Sequence, residues 1–275
     1  MPILTRGNLH VDYTDEGQGQ PVLLVHSSAS GNRQWRALAA DLKDRYRVLA
    51  VNLYGYGKTT VWPGAGSQSL YAQAQLVLAL AEQLDRPIHL VGHSFGGAVA
   101  LRAALLLGAK VEKLALFEPN PFHLLKQHGP MEVYLETQEM LHHVKCYGAL
   151  REWAQVAQRF ADYWSGDHAW ARLPDERRAA FAAAIIPSLY EAEALSAEDT
   201  TVDEYRKIAA RTLLMYAAHT RPPVYAIVDI FARECPHWTI TRVAEGGHMA
   251  PLTRPDVVNP LISAFLDSRD PPVQP

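Results

Sequence analysis

The pentapeptide Gly92-His93-Ser94-Phe95-Gly96 constrains this chain more than any other feature. A strand-like run, Pro87-Ile88-His89-Leu90-Val91, leads into it, and a small-residue helical run from Gly97 to Leu107 follows. G-x-S-x-G between a strand and a helix demands a turn so sharp that the serine backbone is strained. Glycines two before and two after the serine let neighbouring segments approach without a Cβ clash. Ser94 is therefore expected at the carboxyl edge of a sheet, beside a helix N-terminus. A chance G-x-S-x-G in a Gly/Ser-rich loop would lack both flanks.

A serine hydroxyl is a poor nucleophile at neutral pH and needs a base, usually a histidine oriented by a carboxylate. Of the 12 histidines, His248 stands out. It lies in Gly246-Gly247-His248-Met249-Ala250-Pro251, after the strand-like run Trp238 to Val243. A surface-loop role suits His10, His128 or His168 better. An oxyanion would be held by the N–H after the nucleophile, Phe95, and by a small-residue loop, His26 to Gly31, that follows the apolar run Val22-Leu23-Leu24-Val25. Ser28 supplies the second N–H.

Together these pieces resemble the α/β-hydrolase fold family over nearly the whole chain. "PVLLVHSSASGNRQW" is similar to the family's strand and His-Gly oxyanion loop, and "YRVLAVNLYGYGKT" to the next strand and its Asp-x-x-Gly-x-Gly loop. "VGHSFGGAVALRAA" resembles the nucleophile elbow, and "AEGGHMAPLTRPDVVNPLISAFL" the histidine loop and last helix. Three positions depart from the pattern. Ser27 replaces a glycine, Asn52 replaces an aspartate, and "TLLMYAAHT" ends on Thr220 where the catalytic aspartate is expected. Some family members, similar to haloalkane dehalogenases, take the acid from the end of the strand after the nucleophile helix. Here that strand, Val111 to Phe117, ends in Glu118-Pro119. Glu118 is thus the candidate acid. The plainer alternative is that it only braces a loop by accepting backbone N–H bonds. Asp229 lies inside a helical run, and Glu245 is close enough to His248 to shape its loop instead.

At 275 residues, with 48% hydrophobic and 20% charged residues and a net charge of −3, the chain can bury a substantial core. No long run of one charge suggests a nucleic-acid or anionic-membrane surface. No apolar stretch reaches a transmembrane span, and the first residues lack the apolar core of a signal peptide. Cys146 and Cys235 match no zinc or redox spacing and suit two free thiols in a reducing cytosol. Gly55-Tyr56-Gly57-Lys58-Thr59 lacks the first glycine of a phosphate loop. No cofactor, metal or nucleic-acid partner is expected, the location expected is cytoplasmic, and a homodimer is left open.

The fold expected is α/β: a mostly parallel sheet flanked by helices, with an all-helical cap. Strands are expected at Asn8 to Thr14, Pro21 to Val25 and Tyr46 to Asn52, the first two joined by a hairpin turn at Asp15 to Gly19. Helices are expected at Gly31 to Asp44 and Leu70 to Leu84. Strand–helix alternation stops at Pro119 and resumes near Thr212. The division expected is a core of 1–119 and 207–270, a cap of 120–206 and a tail of 271–275. Pro174 reads as the first residue of a cap helix with acids in its first turn.

The cap carries Phe160, Tyr163, Trp164, Trp153, Trp170 and Tyr190, most of them core at helical spacing. Phe122 and Leu125 follow Glu118 at the cap entrance and are better pocket candidates. With Trp164, His26, Ser27, His93 and Met249 they make up the candidate substrate contacts. The reaction expected is acyl transfer on the ester of a small-to-medium apolar acid. Cleavage of a carbon–carbon bond beside a ketone, as in meta-cleavage hydrolases, is the enzymic alternative. A non-hydrolytic binding protein on this fold is the other.

Overall fold

The computed structural model describes residues 2–64 and 67–268. The expected tail at 271–275 lies outside the described residues. In chain order the strands are β1 (Ile3–Arg6), β2 (Leu9–Glu16), β3 (Gln20–Val25), β4 (Tyr46–Val51), β5 (Ile88–His93), β6 (Val111–Phe117), β7 (Arg211–Ala217) and β8 (Thr239–Val243). They form one sheet in the order β1-β2-β4-β3-β5-β6-β7-β8. β1 and β2 run antiparallel to their neighbours, and the rest are parallel. Strands buried on both faces read as continuous apolar runs, and so Val22 to Val25 and Leu114 to Phe117 are apolar throughout.

Alternate residues of these strands feed two separate cores. Val22, Leu24, Val91 and Met215 pack with Trp35, Leu38, Val258 and Ile262. Those residues come from a short 3-10 turn (Asn32–Trp35), α1 (Arg36–Leu42) and, at the far end of the chain, Pro255–Asp267. Leu23, Val25, Leu90 and Leu114 pack on the opposite face against α2 (Leu70–Ala81), α3 (Phe95–Leu107) and the helix Pro222–Glu234. The expected helix from Gly31 is thus a 3-10 turn followed by a shorter α-helix.

Between β6 and β7 the chain is helical, as its composition suggests: α4 (Leu125–His128), α5 (Met131–Ala149), α6 (Trp153–Ser165), α7 (Asp175–Ala184), α8 (Ser188–Ala197) and α9 (Val202–Tyr205). α6 turns Val156, Phe160 and Trp164 inward at a spacing of four residues. Pro174 caps α7 rather than opening it, with Asp175 and Glu176 in the first turn. After β7 come α10 (Pro222–Glu234), α11 (Ala250–Thr253) and α12 (Pro255–Asp267).

The hairpin expected at Asp15 to Gly19 does not form. β4 inserts between β2 and β3, so the turn bridges two strands that never pair. Gly17 has φ 77°, and a Cβ there would lie 2.3 Å from the carbonyl oxygens of Lys43 and Tyr46. The turn passes directly over the start of β4, a contact no local turn signal encodes. β1 is an edge strand the sequence reading did not identify; it is short and half polar.

Candidate active site

Ser94 occupies the single residue between β5 and α3, with φ 54° and ψ −121°. A non-glycine residue held there costs about 1–3 kcal/mol and persists only where its surroundings fix it. The fixing contacts are visible. The Ser94 N–H donates to the Phe117 carbonyl at 3.0 Å. A Cβ on Gly96 would meet the His26 carbonyl oxygen at 2.2 Å, and one on Gly92 would meet the Gly96 carbonyl oxygen at 2.6 Å. The elbow is therefore wedged between the ends of β3 and β6.

Glu118 follows β6 with φ 44°, its N–H donating to Met215 at 2.9 Å. Both carboxylate oxygens are engaged. Oε1 accepts the Ala217 N–H at 2.8 Å, and Oε2 lies 2.6 Å from His248 Nδ1. His248 Nε2 lies 2.9 Å from Ser94 Oγ. A carboxylate can only accept, so Nδ1 carries the proton and Nε2 offers its lone pair to the serine hydroxyl. The orienting and bracing roles weighed for Glu118 coexist, one on each oxygen. Thr220 makes no contact of this kind; its Oγ1 is buried without a hydrogen-bond partner. Asp229 pairs with Arg233 at 3.4 Å, and Glu245 with Arg254 at 2.5 Å.

The other two departures have local explanations. Asn52 Nδ2 donates to Asp12 Oδ2 at 2.9 Å, and the Lys58 N–H donates to the same oxygen at 2.9 Å. The loop's carboxylate thus comes from β2, and the amide at 52 supplies the matching donor. The Ser27 hydroxyl and N–H both donate to Gln34 Oε1, at 2.7 and 3.0 Å.

Two cavities meet at Trp164, beside His248. An inner one is lined by Ser28, Phe122, Trp164, Ser188, Glu191 and Leu195, among others. An outer cleft of about 450 Å3 is lined by His248, Met249, Trp164, Tyr163, His219 and Arg221, among others. Trp164 belongs to both walls and stacks on the His248 ring, with centroids 3.9 Å apart.

Four of the expected substrate contacts line neither cavity. His26 donates from Nδ1 to the Ser27 carbonyl and accepts the Leu53 N–H at Nε2, and burial pushes its pKa down to about 4. His93 packs edge-on against Trp35 and Phe117 and reaches the His248 carbonyl at 2.8 Å. Burial lowers the His93 pKa as well, so a neutral ring donates from Nε2 and fixes the His248 loop from behind. Ser27 is consumed by Gln34, and Leu125 is wholly buried. Histidines flanking a motif are no sign of a pocket when the sheet ends already need internal hydrogen bonds.

Sequence reasoning missed Glu191, Ser188 and Asn120, all lining the inner cavity. The available signal was a carboxylate on the buried stripe of α8, among Ser188, Ala192 and Leu195.

The family model described as "Alpha/beta hydrolase family" matches residues 22–261. A 2-hydroxy-6-oxo-2,4-heptadienoate hydrolase of Pseudomonas putida is 36% identical over 115 residues, covering 40% of this chain and 41% of the relative. A lipase of Mycobacterium tuberculosis is 34% identical over 113 residues, covering 41% of this chain and 42% of the relative. The chain thus spans about two fifths of the length of these curated relatives. In fold, an alpha/beta hydrolase enzyme from a Medee basin deep-sea metagenome library superposes with a TM-score of 0.82 at 14% identity, over 100% of both chains. Among the described residues, no helix is long and apolar enough to cross a membrane.

Proposed function

The chain belongs to the alpha/beta hydrolase family, and from that premise we propose that it is a serine hydrolase cleaving a carboxylic ester by acyl transfer. What carries the reading is the hydrogen-bonded chain from Ser94 Oγ through His248 to Glu118, at 2.9 and 2.6 Å. Ser94 attacks the carbonyl while His248 Nε2 takes its proton. Glu118 stabilises the imidazolium that results. The N–H of Phe95, first in α3 and so without an intrahelical acceptor, and the N–H of Ser28 receive the oxyanion. His248 returns the proton to the leaving group, and water, activated the same way, releases the acid.

Ser28 lines the inner cavity and His248 the outer cleft, so the acyl part enters the first and the leaving group the second. Residues 120–206 act as a cap that screens the oxyanion from water and limits which acyl groups enter. Trp164 on His248, Glu191 on Tyr56 and Pro187 against Gly55 are the contacts that support this reading.

The second reading is cleavage of a carbon–carbon bond beside a ketone, favoured by the similarity to the P. putida hydrolase. A fluorophosphonate probe should label Ser94 and no other residue, as read by peptide mass. Absence of labelling would leave a binding protein on this fold. Ser94→Ala should abolish turnover, and more than about 1% residual activity would sink the covalent mechanism. A panel of esters set against a vinylogous diketone separates the two reactions.

A further inference from the structure

Glu191 is 2% exposed, sits on α8 and forms part of the inner cavity wall. Its two oxygens differ. The Ala29 N–H donates to Tyr56 Oη at 2.8 Å, so the tyrosine proton is free to point elsewhere, and it goes to Glu191 Oε1 at 2.8 Å. Oε2 is buried and receives no hydrogen bond of ordinary geometry, the Ser28 hydroxyl being the other side chain that acts on this carboxyl. Three further polar atoms of the same cavity share that condition: Asn120 Oδ1, Ser188 Oγ and Trp164 Nε1. Buried polar groups are nearly always satisfied, and each one left bare costs about 1–3 kcal/mol. Four in one small cavity beside the oxyanion loop describe a site whose partners arrive with the ligand.

The chemistry of the set decides what that ligand carries. Glu191 Oε2 and Asn120 Oδ1 are acceptors, the Ser188 hydroxyl is either, and the Trp164 indole is a donor. Acceptors predominate, and the strongest is a carboxylate with no cation beside it among its hydrogen-bonded partners. The rest of the wall, including Phe122, Val144 and Leu195, is apolar.

We infer that Glu191 is a specificity-determining residue, selecting substrates whose acyl chain bears a hydrogen-bond donor, a hydroxyl or an amino group, a few bonds from the scissile carbonyl. This rests on the ester-hydrolase reading and narrows it from an apolar acid to a donor-substituted one. Burial raises the Glu191 pKa to about 7 against the opposing pull of the Ser28 and Tyr56 hydroxyls, so the charged carboxylate gains by receiving a further donor. A purely structural role, joining the cap to Tyr56, would need only Oε1.

The test is a matched set of phenyl esters: butanoate, 3-hydroxybutanoate, 3-aminobutanoate and 3-oxobutanoate. For the unmodified protein at pH 8, where Glu191 is ionised, the hydroxy or amino ester should exceed butanoate about 10-fold or more in kcat/KM, the worth of one hydrogen bond to a charged acceptor. Glu191→Leu should collapse that ratio about 10-fold or more, and Glu191→Gln, which keeps an acceptor oxygen, should retain part of it. Tyr56→Phe removes the bridge alone and should leave the ratio in place. A structural Glu191 would instead move all four esters together. Equal rates on butanoate and the donor esters, or a gain confined to the 3-oxo ester, overturn the inference while the hydrolase reading stands. Failure to hydrolyse any of the four, with no labelling of Ser94, overturns the underlying reading instead.

Discussion

At Glu118 both hydrogen-bond positions require an acceptor, because Ala217 and His248 Nδ1 each present an N–H. Glutamine offers one acceptor and one donor, so Glu118→Gln must lose one of the two contacts or reverse the histidine tautomer. kcat should fall about 10²- to 10⁴-fold with the fold retained, as steady-state kinetics beside circular dichroism will report. Full activity in the variant would mean that the acid lies elsewhere. Asn52→Asp is a parallel case at a non-reacting position. It turns the 2.9 Å contact with Asp12 Oδ2 into two facing carboxylates in a buried setting. The loss should be about 2–3 kcal/mol in urea unfolding at neutral pH, shrinking in acid as one carboxyl takes up a proton. An unchanged midpoint would show that the loop absorbs the charge. The hydrogen-bonded chain of Ser94, His248 and Glu118 was legible in the sequence because each member has a local signature: a glycine-flanked serine, a Gly-Gly-His loop, a carboxylate after an apolar strand. Glu191 was not, since its meaning depends on Tyr56, which is 135 residues away.

Elements were legible where burial alone shapes them. The runs Val22 to Val25 and Leu114 to Phe117 are apolar because both sheet faces are covered, and no pairing information is needed to see it. Pairing itself is a non-local property, and the turn at Gly17 looked like a hairpin because turn residues carry no record of which strand lies between. In the helical insertion, composition revealed helices but not which aromatic would reach His248. Trp164 does so by lying at the last inward position of α6, stacked on His248 and walling both cavities. The inner cavity encloses only about 30 Å3, so an acyl chain enters by displacing side chains, and the indole is the one shared with the outer cleft. Trp164→Ala should merge the two spaces. The kcat/KM ratio of octanoate to acetate esters should shift about 10-fold, while acetate hydrolysis changes least. The indole is also buried, so stability should drop by about 3 kcal/mol. A uniform loss across chain lengths in a folded variant would count against a selective cap.

For the whole molecule, buried titratable groups set opposing slopes of stability against pH. Burial holds His26 and His89 near pKa 4, against an ordinary 6.5, and lowers His93 too. His89 lies 3.8 Å from Glu112, but that carboxylate is half exposed and Lys113 opposes it. Between pH 6.5 and 4 the unfolded chain binds protons at these rings that the native state refuses, so stability falls as pH drops. His26 and His89 each account for about 3 kcal/mol of that loss at 1.36 kcal/mol per pKa unit. Glu191 has the opposite sign. Its native pKa of about 7 lies above the ordinary 4.5, so the native state keeps a proton that the unfolded chain releases. Its contribution is full below 4.5 and is lost as pH rises towards 7, again about 3 kcal/mol. Below pH 6.5 the three histidines outweigh the single carboxyl; above it the tail of the unfolded histidines and the Glu191 carboxyl oppose each other and nearly cancel. Stability from urea unfolding should therefore fall steeply from pH 6.5 towards 4.5 and change little between 7 and 7.5. Glu191→Gln, which cannot ionise, should steepen the acid limb and leave stability rising more steeply between pH 6 and 7. If the variant and the wild type share one slope between pH 5 and 7, Glu191 does not titrate as described. A flat acid limb in the wild type would mean that the buried histidines accept protons without unfolding, and the neutral-ring account of His26 and His93 would fall with it.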